Sequence, residues 1–148
     1  AGGKTAFTRN WVWRRLGDAN DDHAPRLLIA LFDFALMQER DEQKKNRYDR
    51  SIIRPRALSE SLPEVSNRAL ESLKEEFQEL EELINVLRQQ STTPVDAREI
   101  EDLGSDKINL GLEVGLLGIH EGTTDSVIRY RVPELYRWAL DMGRKGPA

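Results

Sequence analysis

The chain has 148 residues, 39% of them apolar and 32% charged, enough for one domain or two small ones with a helical, ion-pair-laced surface. It has no cysteine, which excludes disulfides, thiolate metal sites and cysteine nucleophiles together. No run approaches the ~18 apolar residues of a membrane span, and no signal-peptide pattern follows Ala1. The chain reads as a cytoplasmic fragment of something longer, with no membrane partner.

The net charge of −4 is unevenly spread. Residues 1–56 hold 12 basic and 8 acidic side chains, residues 57–104 hold 4 and 12, and the remainder is balanced. A general nucleic-acid binder carries a basic surface, whereas this chain has local basic patches beside an acidic middle.

In chain order, residues 1–6 read as a leader. Phe7, Trp11, Val12 and Leu16 share one helical face, and Gly17 stops that helix. GDANDDHAP is rich in turn residues. Pro25 opens a helix to about Glu42, with Leu27, Leu28, Leu31, Phe34, Ala35 and Met37 forming a wide apolar stripe. Residues 43–53 form a polar connector. A short helix from Pro55 is expected to break at Leu62–Pro63. Helix then resumes and runs to about Gln90, with a kink near Gln78. It buries Val65, Leu70, Leu73, Phe77, Leu80, Leu83, Ile84 and Leu87. Thr93 and Pro94 signal a helix to Leu103, and Ser105 or Asp106 caps another to about Val114.

The period then changes. Leu116 to His120 reads as a strand, EGTTDS as a hairpin loop, and Val127 to Val132 as a second strand. In that strand Ile128, Tyr130 and Val132 are expected inward, with Arg129 and Arg131 outward. Pro133 opens a last helix to about Met142. The fold class is therefore mainly α. From about residue 80 to 132 the order helix, helix, helix, strand, loop, strand is the winged-helix plan, a helix-turn-helix variant with one β-hairpin wing.

Few motifs carry chemistry. GGKT at 2–5 ends like a phosphate-binding loop but lacks the earlier glycine and the strand before it. His23 and His120 are isolated, so no metal site is expected. No nucleophile elbow exists, and enzyme chemistry within this chain is not expected. Arg26 stands in the first turn of a long helix, where cations are disfavoured and anions attracted, so it is a candidate for a phosphate partner. The bland reading is a surface arginine paired with Asp21 or Asp22. Trp11, Trp13 and Trp138 are read as core or interface anchors, with one of the N-terminal pair exposed.

A nucleic-acid surface would draw on Lys44, Lys45, Arg47, Arg50, Arg54 and Arg56, on the wing residues Arg129 and Arg131, and on the terminal pair Arg144 and Lys145. The helix that should enter the groove offers only Lys107 and Asn109, beside Asp106 and Glu113. The helix before it carries Asp96, Glu99, Glu101 and Asp102. Protein contacts suit these charges better than DNA.

Three stretches together resemble the C-terminal part of bacterial P-loop ATPases of the AAA/STAND kind. They are Thr8-Arg9-Asn10-Trp11-Val12-Trp13 with Leu16-Gly17-Asp18-Ala19-Asn20, Pro25-Arg26-Leu27-Leu28-Ile29-Ala30-Leu31, and Tyr130-Arg131-Val132-Pro133-Glu134-Leu135-Tyr136-Arg137. The resemblance implies a helical lid over residues 1–53 and a winged-helix domain with a C-terminal helix over 54–148. It implies Arg26 as the lid's sensor of nucleotide phosphates. It also implies an ATPase core upstream in the same polypeptide, which would supply the ATP site. The chain itself would hold no cofactor. The expected function is thus a non-catalytic regulatory module of a nucleotide-driven switch. A DNA-binding winged-helix domain is the alternative. A self-association domain, suggested by the acidic helix at 66–90, is a third.

Overall fold

The computed structural model describes the backbone of residues 2–45 and 53–145, with side chains from Thr8 onward; Arg47 and Arg50 lie outside the described residues. The fold is mainly helical with a small β region. Helix α1 spans Gly2–Leu16. The stretch expected as a leader is therefore helical from Gly2. No proline interrupts it, and adding turns to a helix already anchored by the buried Val12 and Leu16 costs little. Helix α2 spans Pro25–Lys45, with Leu27, Leu31, Ala35 and Glu39 recurring every four residues on the buried side.

Helix α3 runs unbroken from Pro55 to Glu76 through Pro63, where a break was expected. Pro63 and Ser59 both sit on the exposed side, so the carbonyl that loses its partner meets water rather than the core. Leu58, Leu62, Val65, Leu70 and Leu73 hold the buried side in register past the proline. The kink expected near Gln78 is present: a 3-10 turn at Gln78–Leu80 separates α3 from α4, Glu81–Gln89.

The helix expected from Thr93 to Leu103 does not form. Strands β1 (Thr92–Thr93) and β2 (Val95–Asp96) flank a cis Thr93–Pro94 bond, and 3-10 turns follow at Ala97–Glu99 and Glu101–Leu103. Tertiary pairing overrides local propensity here. Val95 lies opposite Tyr130, and the Asp96 carboxylate accepts the Arg98 backbone N–H, a local bond that competes with helix. Helix α5 is Ser105–Glu113.

Strands β3 (Gly118–Thr123) and β4 (Ser126–Arg131) form a hairpin as expected, but its turn is shorter than the EGTTDS loop: Glu121–Thr123 and Ser126 pair within the strands, leaving Thr124 and Asp125. Strand β2 adds to the far edge of β4, giving the order β2-β4-β3. Tyr130 and Val132 are buried as expected, but Ile128 is exposed near the hairpin tip. The last helix, α6, is short, Glu134–Arg137. Beyond it Asp141 turns the chain at φ 56°, and Met142 closes back on Arg137, its N–H donating to the Arg137 carbonyl (3.0 Å) while the Arg137 guanidinium donates to the Met142 carbonyl (3.0 Å). Strand β5 (Gly143–Arg144) then pairs in parallel with β1. One buried apolar cluster runs from Val12 to Met142 and includes all six helices except the exposed turns of α5.

Candidate functional site

The segment Gly17–Asn20 joins the two N-terminal helices to the sheet. The Asp18 carboxylate accepts the backbone N–H groups of Asn20 (2.8 Å) and Asp22 (3.0 Å), which fixes the turn. The turned segment then grips the end of α5. The Ala19 N–H donates to the Gly115 carbonyl (2.8 Å), and the Asn20 amide donates to the Leu112 and Glu113 carbonyls (3.1 Å each). The Leu112 and Glu113 carbonyls are among the last four of α5, which have no partner within the helix. Arg131 completes the clamp by donating to the Ala19 carbonyl (2.7 Å). It was expected to face outward for nucleic acid, and it is a structural donor instead. The alternation that placed it outward could not register that another segment would cover this end of β4.

On the far side of that turn, His23 stacks on Trp13, with ring centroids 3.6 Å apart, and its Nε2 lies 2.8 Å from the Trp13 carbonyl. A carbonyl only accepts, so Nε2 carries the proton in this contact. The stack forms the floor of a groove of about 470 Å³ between α1 and α2, walled by Val12, Leu16, Leu28 and Phe32 with Arg9 on its rim. Of its lining, Trp13 is 57% exposed, Leu28 38% and Phe32 42%. Ile29 next to Leu28 is 63% exposed, and Met37, 59% exposed, lies elsewhere on α2 beside Arg40, Asp41 and Lys44. Leu28 and Met37, expected within the buried stripe, point outward. Helix α2 is thus apolar on both its inner and its outer side, the pattern of a helix enclosed on all sides. The sequence carried this signal in the run Leu27-Leu28-Ile29-Ala30-Leu31-Phe32, too dense for one face.

Arg26 lies in the first turn of α2, exposed and without an ion pair among the described residues. It borders a cleft of about 410 Å³ with Asp18, Asp22, Glu76 and Tyr136. Three carboxylates thus line the same cleft as the one guanidinium. Burial, then Asp18, push the Tyr136 hydroxyl up to about 12 against the opposing pull of Arg26.

Most other cations proposed for nucleic acid are matched within the fold. Lys107 pairs with Glu82 across α5 and α4, and Arg129 pairs with Glu121 (3.1 Å) across the hairpin. Arg56 pairs with Glu60 (2.6 Å), and Lys44 meets Asp41 (3.5 Å). Lys45 ends α2 on the exposed side. Arg54 holds Glu39, which is 1% exposed, through its side chain (2.9 Å) and its backbone N–H (3.2 Å). Burial raises the Glu39 carboxyl, but the Arg54 N–H, the Gln43 amide and the Arg54 guanidinium outweigh it and hold the group below its ordinary value. No group of three His, Asp or Glu side chains able to hold a metal occurs among the described residues, and no helix there is long and apolar enough to cross a membrane. No family model, curated protein or solved structure matches the chain.

Proposed function

We propose that the chain is a non-catalytic docking and regulatory module of a larger, nucleotide-driven switch protein of the cytoplasm. The observation that carries this reading is the unpartnered apolar face of α1 and α2. Three large side chains, Trp13, Leu28 and Phe32, from 38% to 57% exposed, line one groove, with the exposed Ile29 next to Leu28 on α2. An apolar patch of this kind on a soluble surface marks an interaction site. Covering it would contribute roughly 5 kcal/mol of gross hydrophobic stabilisation before the cost of association. The resemblance of residues 8–31 to an ATPase lid names the partner: a nucleotide-binding core in the same polypeptide.

The winged-helix plan belongs to this proposal. It is supported by the strand order β2-β4-β3, with α5 leading into the β3–β4 hairpin. The second helix of that plan corresponds to the two 3-10 turns at 97–103. Groove reading of DNA by α5 is the weaker function for it, because Lys107, Arg129 and Arg131 are already committed to Glu82, Glu121 and the Ala19 carbonyl. Arg26 remains the residue proposed to meet a nucleotide phosphate. Asp18, Asp22 and Glu76 beside it weaken any such contact by this chain alone, so the core must supply the phosphate cradle and the metal.

The test is nucleotide-dependent photo-cross-linking in the protein that carries both module and core, with benzoylphenylalanine placed at Ile29 or Phe32. Cross-links to the core whose yield changes between ATP and ADP support the proposal. Cross-links absent in every nucleotide state, or identical in all of them, overturn it.

A further inference from the structure

Four guanidiniums meet where α1 packs on α6. Arg14 and Arg15 close α1, Arg137 ends α6, and Arg144 lies in β5. Arg15 sits over the Trp11 ring at 4.2 Å, and Arg137 over the Trp138 ring at 4.5 Å. Burial first, then Arg144, Arg137 and Arg14, lower the affinity of Arg15 for its proton, so the cations lie within reach of one another's fields. One carboxylate, Glu134, is shared by Arg137 (3.4 Å) and Arg144. Arg14 is exposed and has no ion pair among the described residues, and Lys145, also exposed, follows Arg144 just past the end of β5. The buried Nε of Arg137 finds no acceptor there either.

This corner differs from the rest of the surface. Arg54, Arg56, Arg98, Lys107 and Arg129 each face their own carboxylate. At the corner the fold brings like charges together, which costs stability unless an anion comes from outside. Guanidinium forks fit phosphate oxygens in pairs, and an indole beneath a guanidinium fixes its plane in advance.

We propose that the corner presenting Arg14, Arg15, Arg144 and Lys145, supported from within by Arg137 through Glu134 and the Met142 carbonyl, binds the phosphate backbone of nucleic acid. The partner must present several anions in a row without cations between them. A phosphodiester chain does so, whereas a protein surface interleaves the two signs. The acidic surface of residues 57–104 repels such a chain elsewhere and directs it to this corner. The site is separate from the α1–α2 groove and from the hairpin.

The probe is a fluorescein-labelled duplex of about 25 base pairs, read by anisotropy against the whole chain. With about four phosphate contacts, affinity should fall roughly a hundredfold between about 50 mM and 200 mM salt. Arg14→Glu with Arg144→Glu should weaken binding tenfold or more at the lower salt, and Arg129→Glu should leave it unchanged. Because Arg144 lies in β5, Arg14→Glu alone serves as the second variant and should weaken binding severalfold with an unchanged circular dichroism spectrum. Three results would overturn the proposal: no binding at the lower salt, equal binding by Arg14→Glu and the parent chain, or displacement of the duplex by polyglutamate as readily as by polyphosphate of the same charge. The last would make the corner a site for acidic protein segments.

Discussion

The clamp between Asp18 and the end of α5 should behave as one unit, and Gly115 is where to perturb it. Gly115 has φ +80°, and a Cβ there would lie 2.4 Å from the Asp18 carboxylate carbon and 2.8 Å from its Cβ. Gly115→Ala therefore carries about 1–2 kcal/mol for the left-handed backbone. It must also push Asp18 away from the two N–H groups it accepts, each worth about 1 kcal/mol. The expected total is about 3–4 kcal/mol. Asp18→Gly gives up the same two bonds and adds backbone freedom, for about 2–3 kcal/mol. In the double variant the overlap is gone and the two bonds are lost only once. Urea denaturation of the four proteins should then show a coupling of about 2 kcal/mol, the double variant being more stable than the sum of the singles predicts. Additivity within about 0.5 kcal/mol would refute the claim that these residues act through one contact.

Three further outcomes follow from the same geometry. In the isolated chain Leu31→Ala should cost about 2–5 kcal/mol, because Leu31 is fully buried, whereas Ile29→Ala on the outer side of α2 should cost under about 0.5 kcal/mol by thermal or urea unfolding. The Glu39 carboxyl is held below its ordinary value, so its contribution is present above pH 4.5 and lost as pH falls through its folded value; Glu39→Gln should flatten that acid limb in melts followed by circular dichroism. Tyr136 is pushed up to about 12, so its contribution is complete below pH 10 and lost as pH rises toward 12. Burial raises Tyr130 as well, so ultraviolet titration should show late ionisation whose last step is lost in Tyr136→Phe while the Tyr130 step remains.

The parts of the fold that were legible in the sequence were those fixed by local pattern. Pro25 and the four-residue recurrence of Leu27, Leu31 and Ala35 define α2, and the switch to a period of two at Val127–Val132 defines the hairpin. What escaped depended on distant partners. Thr93–Leu103 carries good helix signals, yet Val95 is taken by Tyr130 and Asp96 turns back on Arg98. Arg131 alternates outward in its strand, yet the Ala19 carbonyl arrives from 112 residues away to accept its hydrogen bond. The candidate face was legible in a different sense. The run from Leu27 to Phe32 holds more apolar residues than one helix side can bury, and only the burial pattern shows that Leu28, Ile29 and Phe32 are left uncovered. Trp13 on α1 and Phe32 on α2 both line that face and both react with hydroxyl radical, which suits them as independent reporters.

Hydroxyl-radical footprinting of Trp13 and Phe32 tests the docking claim most directly. In the isolated chain both should oxidise, as their exposures of 57% and 42% require. In the larger protein both should be protected together, by tenfold or more, while the half-buried Trp138 changes little. Equal oxidation of Trp13 and Phe32 in both settings would mean that the α1–α2 face stays in water, and would contradict the account.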